Sequence, residues 1–137
     1  MTATRSLEAK SEAQLRQELR GFPEAATSAV LALREDPSLE SLRLAVRRVL
    51  AFYLPRPKWR SLDELPAETR LREELGVDSL TMAEAAFKLD ELLGVEIGTR
   101  DAAAIRTLGE LEAFLADRLG LGQEPNMEAH ALATAAR

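Results

Sequence analysis

The stretch L-G-V-D-S-L, residues 75–80, decides the interpretation of this chain, because it places a serine directly after a tight glycine turn and at the start of a helix. The helix is predicted to run from Asp78 to Leu93, with Gly94 just past its end. Apolar residues recur along it at helical spacing, and they predict a core-facing side that consists of Met82, Ala86, Leu89 and Leu93.

The serine at this helix start, Ser79, has two interpretations. A helix N-terminus offers free N–H groups and a partial positive charge, so a phosphodiester attached to Ser79 would be stabilised there. Asp78 before the helix is equally typical of an ordinary N-cap. The residues taken alone leave both interpretations open.

The opposite side of the same helix carries apolar side chains where solvent is expected. Leu80, Glu84, Phe87 and Glu91 recur at helical spacing, which puts two apolar side chains among carboxylates. Residues 78–119 hold nine acidic and four basic side chains, so this is the acidic part of the chain.

The rest of the chain is predicted to be helical as well, because apolar residues recur at spacings of three and four throughout. Asp36 is predicted to cap a helix that opens at Pro37 and ends near Tyr53. A long connection that contains Trp59 follows. The other predicted helices are 7–20, 24–34 and 107–119.

The composition excludes several classes of function. The chain has no cysteine and one histidine, His130, so it cannot form a cysteine-based zinc site or a Cys/His nucleophile pair, and no metal site is predicted. No G-x-S-x-G motif supports a serine hydrolase, and no catalytic residue is predicted. The net charge of −5 opposes nucleic-acid binding. No apolar run approaches the roughly 20 residues of a membrane span, and no secretory signal is recognised, so a cytoplasmic location is expected.

The sequence L-G-V-D-S-L followed by T-M-A-E-A-A-F-K-L-D-E-L-L-G-V-E-I resembles the signature of acyl carrier proteins. The resemblance implies an all-α four-helix bundle, in which three main helices are joined by a long first loop and a short third helix near 101–105. Extra N-terminal helices precede it. The implied division is an N-terminal helical extension at 1–36, an acyl carrier domain at 37–119 and a flexible tail at 120–137.

The resemblance also implies a function and its residues. Ser79 would receive 4'-phosphopantetheine from coenzyme A through a phosphopantetheinyl transferase, while Asp78 would cap the helix and help to coordinate the transferase's metal. The chain would carry acyl groups as thioesters and would itself catalyse nothing. The surface that meets partners would consist of Leu80, Glu84, Phe87, Asp90 and Glu91.

The expected partners are enzymes with basic docking patches: the transferase, an acyl-ACP synthetase (an enzyme that loads acyl groups onto an acyl carrier protein, ACP), and a ketoacyl synthase or acyltransferase of fatty-acid, lipid or polyketide synthesis. The carrier itself is expected to be a monomer. Small residues at Ala83, Ala85 and Ala86 predict a roomy cargo cavity. Two alternatives stay open: a peptidyl or aminoacyl carrier for nonribosomal synthesis, and a carrier-like structural protein without the arm.

Overall fold

The computed structural model describes residues 10–54 and 62–121 of the chain, and these ranges contain six α-helices and no β-strand. The all-α prediction is confirmed. Trp59, His130 and nearly all of the predicted tail lie outside the described residues. In chain order the helices are α1 Glu12–Glu18, α2 Glu24–Glu35, α3 Leu39–Phe52, α4 Ser79–Leu93, α5 Thr99–Ala104 and α6 Leu108–Leu119.

The predicted N-cap at Asp36 is wrong. The backbone N–H of Asp36 donates to the carbonyl of Ala32 at 2.9 Å and so closes the end of α2. The cap of α3 is Ser38, whose hydroxyl accepts a hydrogen bond from the N–H of Ser41 at 3.0 Å, while the Ser41 hydroxyl accepts one from the N–H of Ser38. This reciprocal pair satisfies two backbone donors at once, and Pro37 is left outside the helix.

Two further helix boundaries differ from those predicted. The short third helix begins at Thr99 rather than at 101, because the Asp101 carboxylate accepts a hydrogen bond from the Gly98 N–H at 3.0 Å and so caps the earlier start. The first helix ends at Glu18, ahead of Gly21, whose φ of 96° lies in the left-handed region.

The N-terminal helices are part of the core and not a loosely attached arm. Leu15, Leu19, Val30 and Leu33 are all at most 2% exposed, and they belong to the same apolar cluster as the buried side chains of α3, α4 and α6. Helix α2 packs along α3. The described part of the extension therefore packs on the domain.

Polar and aromatic contacts hold the extension against the C-terminal half of α4. The Lys88 ammonium donates to the carbonyl oxygen of Glu18 at 3.0 Å, and the Lys10 ammonium donates to the carbonyl oxygen of Glu91 at 2.5 Å. The Lys88 ammonium also lies 5.8 Å from the centroid of the Phe22 ring, and that ring stacks on the Phe52 ring of α3 with 4.0 Å between centroids. These contacts connect segments far apart in sequence and fix one flank of α4.

The guanidinium group of Arg47 is buried and holds the long connection in place. Its Nε donates to the Glu112 carboxylate at 2.6 Å, and its Nη1 donates to the carbonyls of Leu62 at 2.9 Å and Leu65 at 2.5 Å. The side chain is 1% exposed. No role of Arg47 is predicted from the sequence, so this anchor was missed.

The later part of the connection is tied to the start of α6 by backbone hydrogen bonds. The N–H of Leu71 donates to the carbonyl of Arg106 at 2.9 Å, and the N–H of Gly109 donates to the carbonyl of Ala67 at 2.8 Å. A Cβ at Gly109 would lie 2.8 Å from the Cβ of Ala67, so only glycine allows this close approach.

We expect Arg47→Ala to destabilise the fold by about 3–5 kcal/mol, because the change leaves the Glu112 carboxylate and buried carbonyls without their donor. Urea unfolding followed by circular dichroism measures the loss. Arg43→Ala is the matched control, since the Arg43 side chain is exposed and makes one long hydrogen bond of 3.3 Å, to the Asp63 carbonyl. Equal losses in the two variants would contradict the anchoring role of Arg47.

Removing a buried side chain of the extension should also destabilise the whole domain. We expect Leu33→Ala to lower the free energy of unfolding by about 2–5 kcal/mol, because the 0% exposed Leu33 side chain leaves a cavity in the shared core. Leu80→Ala, at a position 67% exposed, should change it by less than about 0.5 kcal/mol. If the extension were a loose arm, Leu33→Ala would be as mild as the control.

Candidate functional site

Ser79, the predicted attachment residue, is the first residue of α4 and is exposed to solvent. The turn before it is made by Gly76, whose φ of 73° favours glycine. Within the described residues the Ser79 hydroxyl has no hydrogen-bond partner, so its oxygen is free to carry a substituent.

Asp78 is the N-cap of α4. Its Oδ1 accepts a hydrogen bond from the Thr81 N–H at 2.8 Å. That backbone hydrogen bond, with a smaller contribution from the Thr81 side chain, holds the pKa of the Asp78 carboxyl below its ordinary value, and the positive charge of Arg72 lowers it further. The carboxylate next to Ser79 is therefore charged at neutral pH.

A cavity of about 820 Å³ opens beside Ser79, between α4, α5 and the end of the long connection. Ser79 and Asp78 form part of its wall, as do Ala83 and Ala86. Ala85 does not line it and is buried in the core instead, so only two of the three small residues can widen the cavity. The other apolar lining residues are Leu71, Val77, Met82, Phe87, Ile97, Ala102, Ala103 and Ile105.

The side chains predicted to face partners do not form one uniform stripe. Leu80 and Phe87 are 67% and 70% exposed, and Glu84 is exposed beside them. Asp90 and Glu91 are half-buried. Phe87 and Asp90 also line the cavity, so they border the space beside Ser79 as well as the outer surface.

Glu84 and Glu91 lie on the side of α4 that faces the end of α3. Burial raises the pKa of the Tyr53 hydroxyl, and the negative charges of Glu84 and Glu91 raise it further. Glu91 also forms an ion pair with Lys88 at 2.9 Å. Its charge is thus partly compensated within the chain, which the sequence pattern did not indicate.

The described ranges contain neither a membrane-spanning helix nor a metal site. None of the helices in these ranges combines the length and apolar character that crossing a bilayer requires. The same residues hold no group of three or more histidine, cysteine, aspartate or glutamate side chains placed to bind a metal ion.

The chain is similar to curated proteins named meromycolate extension acyl carrier protein. Those of Mycobacterium tuberculosis, Mycolicibacterium smegmatis and Mycolicibacterium aurum are each 35% identical to it over 52 residues, which is 38% of this chain. The aligned part covers 45%, 52% and 54% of these relatives, so the chain spans about half the length of the curated proteins it matches. No solved structure matches the chain.

Residues 56–115 match the family model described as phosphopantetheine attachment site. The chain therefore contains a region similar to phosphopantetheine attachment sites and to part of these acyl carrier proteins. The matched model agrees with the predicted cofactor class, a covalently attached 4'-phosphopantetheine. The match covers α4, α5 and most of α6 but not α3, so the predicted domain start at 37 stays a prediction.

Replacing Asp78 by alanine tests whether the charged cap supports α4. Because the pKa of the Asp78 carboxyl is lowered by folding, its contribution to stability is fully present above the ordinary value of 3.8 and is lost as pH falls through the folded-state value. We expect the stability difference between wild type and Asp78→Ala to hold from about pH 7 to about pH 5 and to shrink below about pH 4.

Urea unfolding across this pH range measures that difference. Asp78→Asn is the control, because asparagine also caps helices but carries no titrating charge. The difference between Asp78→Asn and Asp78→Ala should not shrink in the same window. If the stability difference between wild type and Asp78→Ala stayed constant down to about pH 2.5, this would contradict the lowered pKa of Asp78.

Proposed function

We propose that Ser79 is the attachment site of the 4'-phosphopantetheine arm and that this chain carries acyl groups for enzymes of lipid synthesis. The observation that carries the proposal is the exposed, unbonded Ser79 hydroxyl at the wall of an apolar cavity, inside the region matched by the family model. When bound there, the group supplies a terminal thiol that holds acyl cargo as a thioester.

The residues around Ser79 fit a phosphodiester on its oxygen. The first turn of α4 leaves backbone N–H groups without helical partners, which favours a negative charge at this end. Asp78 uses its carboxylate to cap the Thr81 N–H and so fixes the geometry of the first turn. Gly76 makes the turn that presents the serine outward.

The cavity supports acyl cargo. Its apolar lining would shield an aliphatic chain from water, and each buried methylene would stabilise the bound chain by about 0.8 kcal/mol. The small side chains of Ala83 and Ala86 leave room at the wall nearest Ser79. The relatives named for meromycolate extension favour a lipid cargo over a peptidyl one, and no feature of the cavity favours the nonribosomal alternative.

The proposed partners are the transferase, a synthetase, and synthases or acyltransferases that present basic patches. Leu80 and Phe87 offer apolar contact, while Glu84 and Asp90 steer a basic partner toward α4. Glu91 contributes less than the sequence suggests, because Lys88 already pairs with it. A cytoplasmic location and a monomeric state are part of this proposal and rest on the sequence alone.

Intact mass after incubation with coenzyme A and a promiscuous phosphopantetheinyl transferase tests the proposal. We expect a gain of one phosphopantetheine in the wild type and none in Ser79→Ala, because that variant lacks the accepting oxygen. Ser61→Ala is a matched control that keeps Ser79 and should gain the same mass as the wild type. A wild type without any gain would favour the structural protein without an arm.

A further inference from the structure

The cavity beside Ser79 has an unusual wall for an apolar cargo site, because three arginines line it. Arg70, Arg72 and Arg106 are all exposed at its edge. Within the described residues none of their guanidinium groups donates a hydrogen bond or forms an ion pair. By contrast, Arg47 and Arg48 each form an ion pair. The rim arginines are therefore available to an anion that the chain itself does not supply.

Within the described residues the acidic side chains of the cavity wall form no ion pair with these arginines, although the charge of Arg72 acts on Asp78. Glu73, Asp78, Asp90 and Glu110 line the same cavity. Two of their carboxylates already accept backbone hydrogen bonds, since Asp78 bonds the Thr81 N–H at 2.8 Å and Glu110 bonds the Arg106 N–H at 2.7 Å.

Attachment of the arm would place the negative charge of a phosphodiester next to the negative charge of the Asp78 carboxylate. The Asp78 carboxylate is charged and immediately precedes Ser79, so a phosphodiester on Ser79 would face like-charge repulsion at short range. Arg72 is the rim arginine whose charge acts on Asp78. A guanidinium group in that position can offset both negative charges, and its planar fork suits the oxygens of a phosphate.

We propose that the guanidinium group of Arg72 binds the phosphodiester of the arm on Ser79 and so holds the arm along the cavity between α4 and α5. The proposal rests on the proposed function. It makes Arg72 a positioning residue, since the cargo is held by the arm and not by Arg72. The effect is electrostatic at an exposed site, so raising salt from about 0.15 M to about 1 M should remove it.

The absence of cysteine allows a direct test, because the thiol of the arm is then the only thiol in the loaded protein. Holo-protein without acyl cargo is labelled at that thiol with a nitroxide. Phosphorus NMR of the holo-protein without the nitroxide reports the environment of the phosphodiester. In the labelled protein, paramagnetic broadening of backbone amides reports how close the arm lies to α5. Without cargo, any effect belongs to the phosphodiester and not to an acyl group.

In the wild type we expect broadening at the amides of α5 that falls about two- to fivefold in Arg72→Gln, the change an exposed ion pair produces. The phosphorus resonance should shift in the same variant, and about 1 M salt should make the wild type behave like Arg72→Gln.

Arg100→Gln is the matched control, because Arg100 is exposed on α5 without lining the cavity, and this change should leave both signals unchanged. Glu73→Gln removes a repelling charge from the wall and should increase the broadening.

Three results would overturn the proposal. Equal signals in the wild type and Arg72→Gln at about 0.15 M salt would show that Arg72 does not bind the phosphodiester. An equal change in Arg100→Gln would show an effect of net charge alone. A protein that gains no mass from the transferase would overturn the proposed function as well, whereas the first two results leave that function intact.

Discussion

The buried guanidinium group of Arg47 is the contact on which the rest of the domain depends. It joins α3 to α6 through Glu112 and to the long connection through the carbonyls of Leu62 and Leu65. A deeply buried arginine is tolerated when its charge is paired and hydrogen-bonded, and here Nε binds the Glu112 carboxylate while Nη1 donates to backbone carbonyls. The same contact fixes where the connection starts its return toward Ser79.

The end of that connection then builds the functional site. Leu71 and Gly109 tie it to the start of α6 by backbone hydrogen bonds, so the wall opposite α4 is held in place. Val77 is buried and Gly76 turns the chain, which leaves Ser79 exposed at the first residue of α4. The cavity is the space left between these fixed elements and α5, whose own residues are not fully buried.

The N-terminal extension reduces the exposed surface of α4. Its leucines complete the core, and Lys10, together with the Lys88 of α4, binds it to the C-terminal half of α4. One flank of α4 is thereby covered, and Glu91 is engaged by Lys88. The free surface is concentrated around Leu80, Glu84 and Phe87, on the part of the helix that leads to Ser79.

The sequence by itself determined the helices, the position of Ser79 at the start of a helix, and the exposure of Leu80 and Phe87. These are local properties, because helical spacing and cap chemistry act within about four residues along the chain. It failed at Asp36, which closes the end of α2, because the cap of α3 is supplied two residues later by Ser38. The burial of Arg47, the packing of the extension, and the placement of Arg72 and Asp78 on the wall of one cavity were decided by the tertiary structure. Each of these depends on contacts between separate segments or turns. The periodicity of a helix predicts which face is apolar but not which part of the chain covers that face.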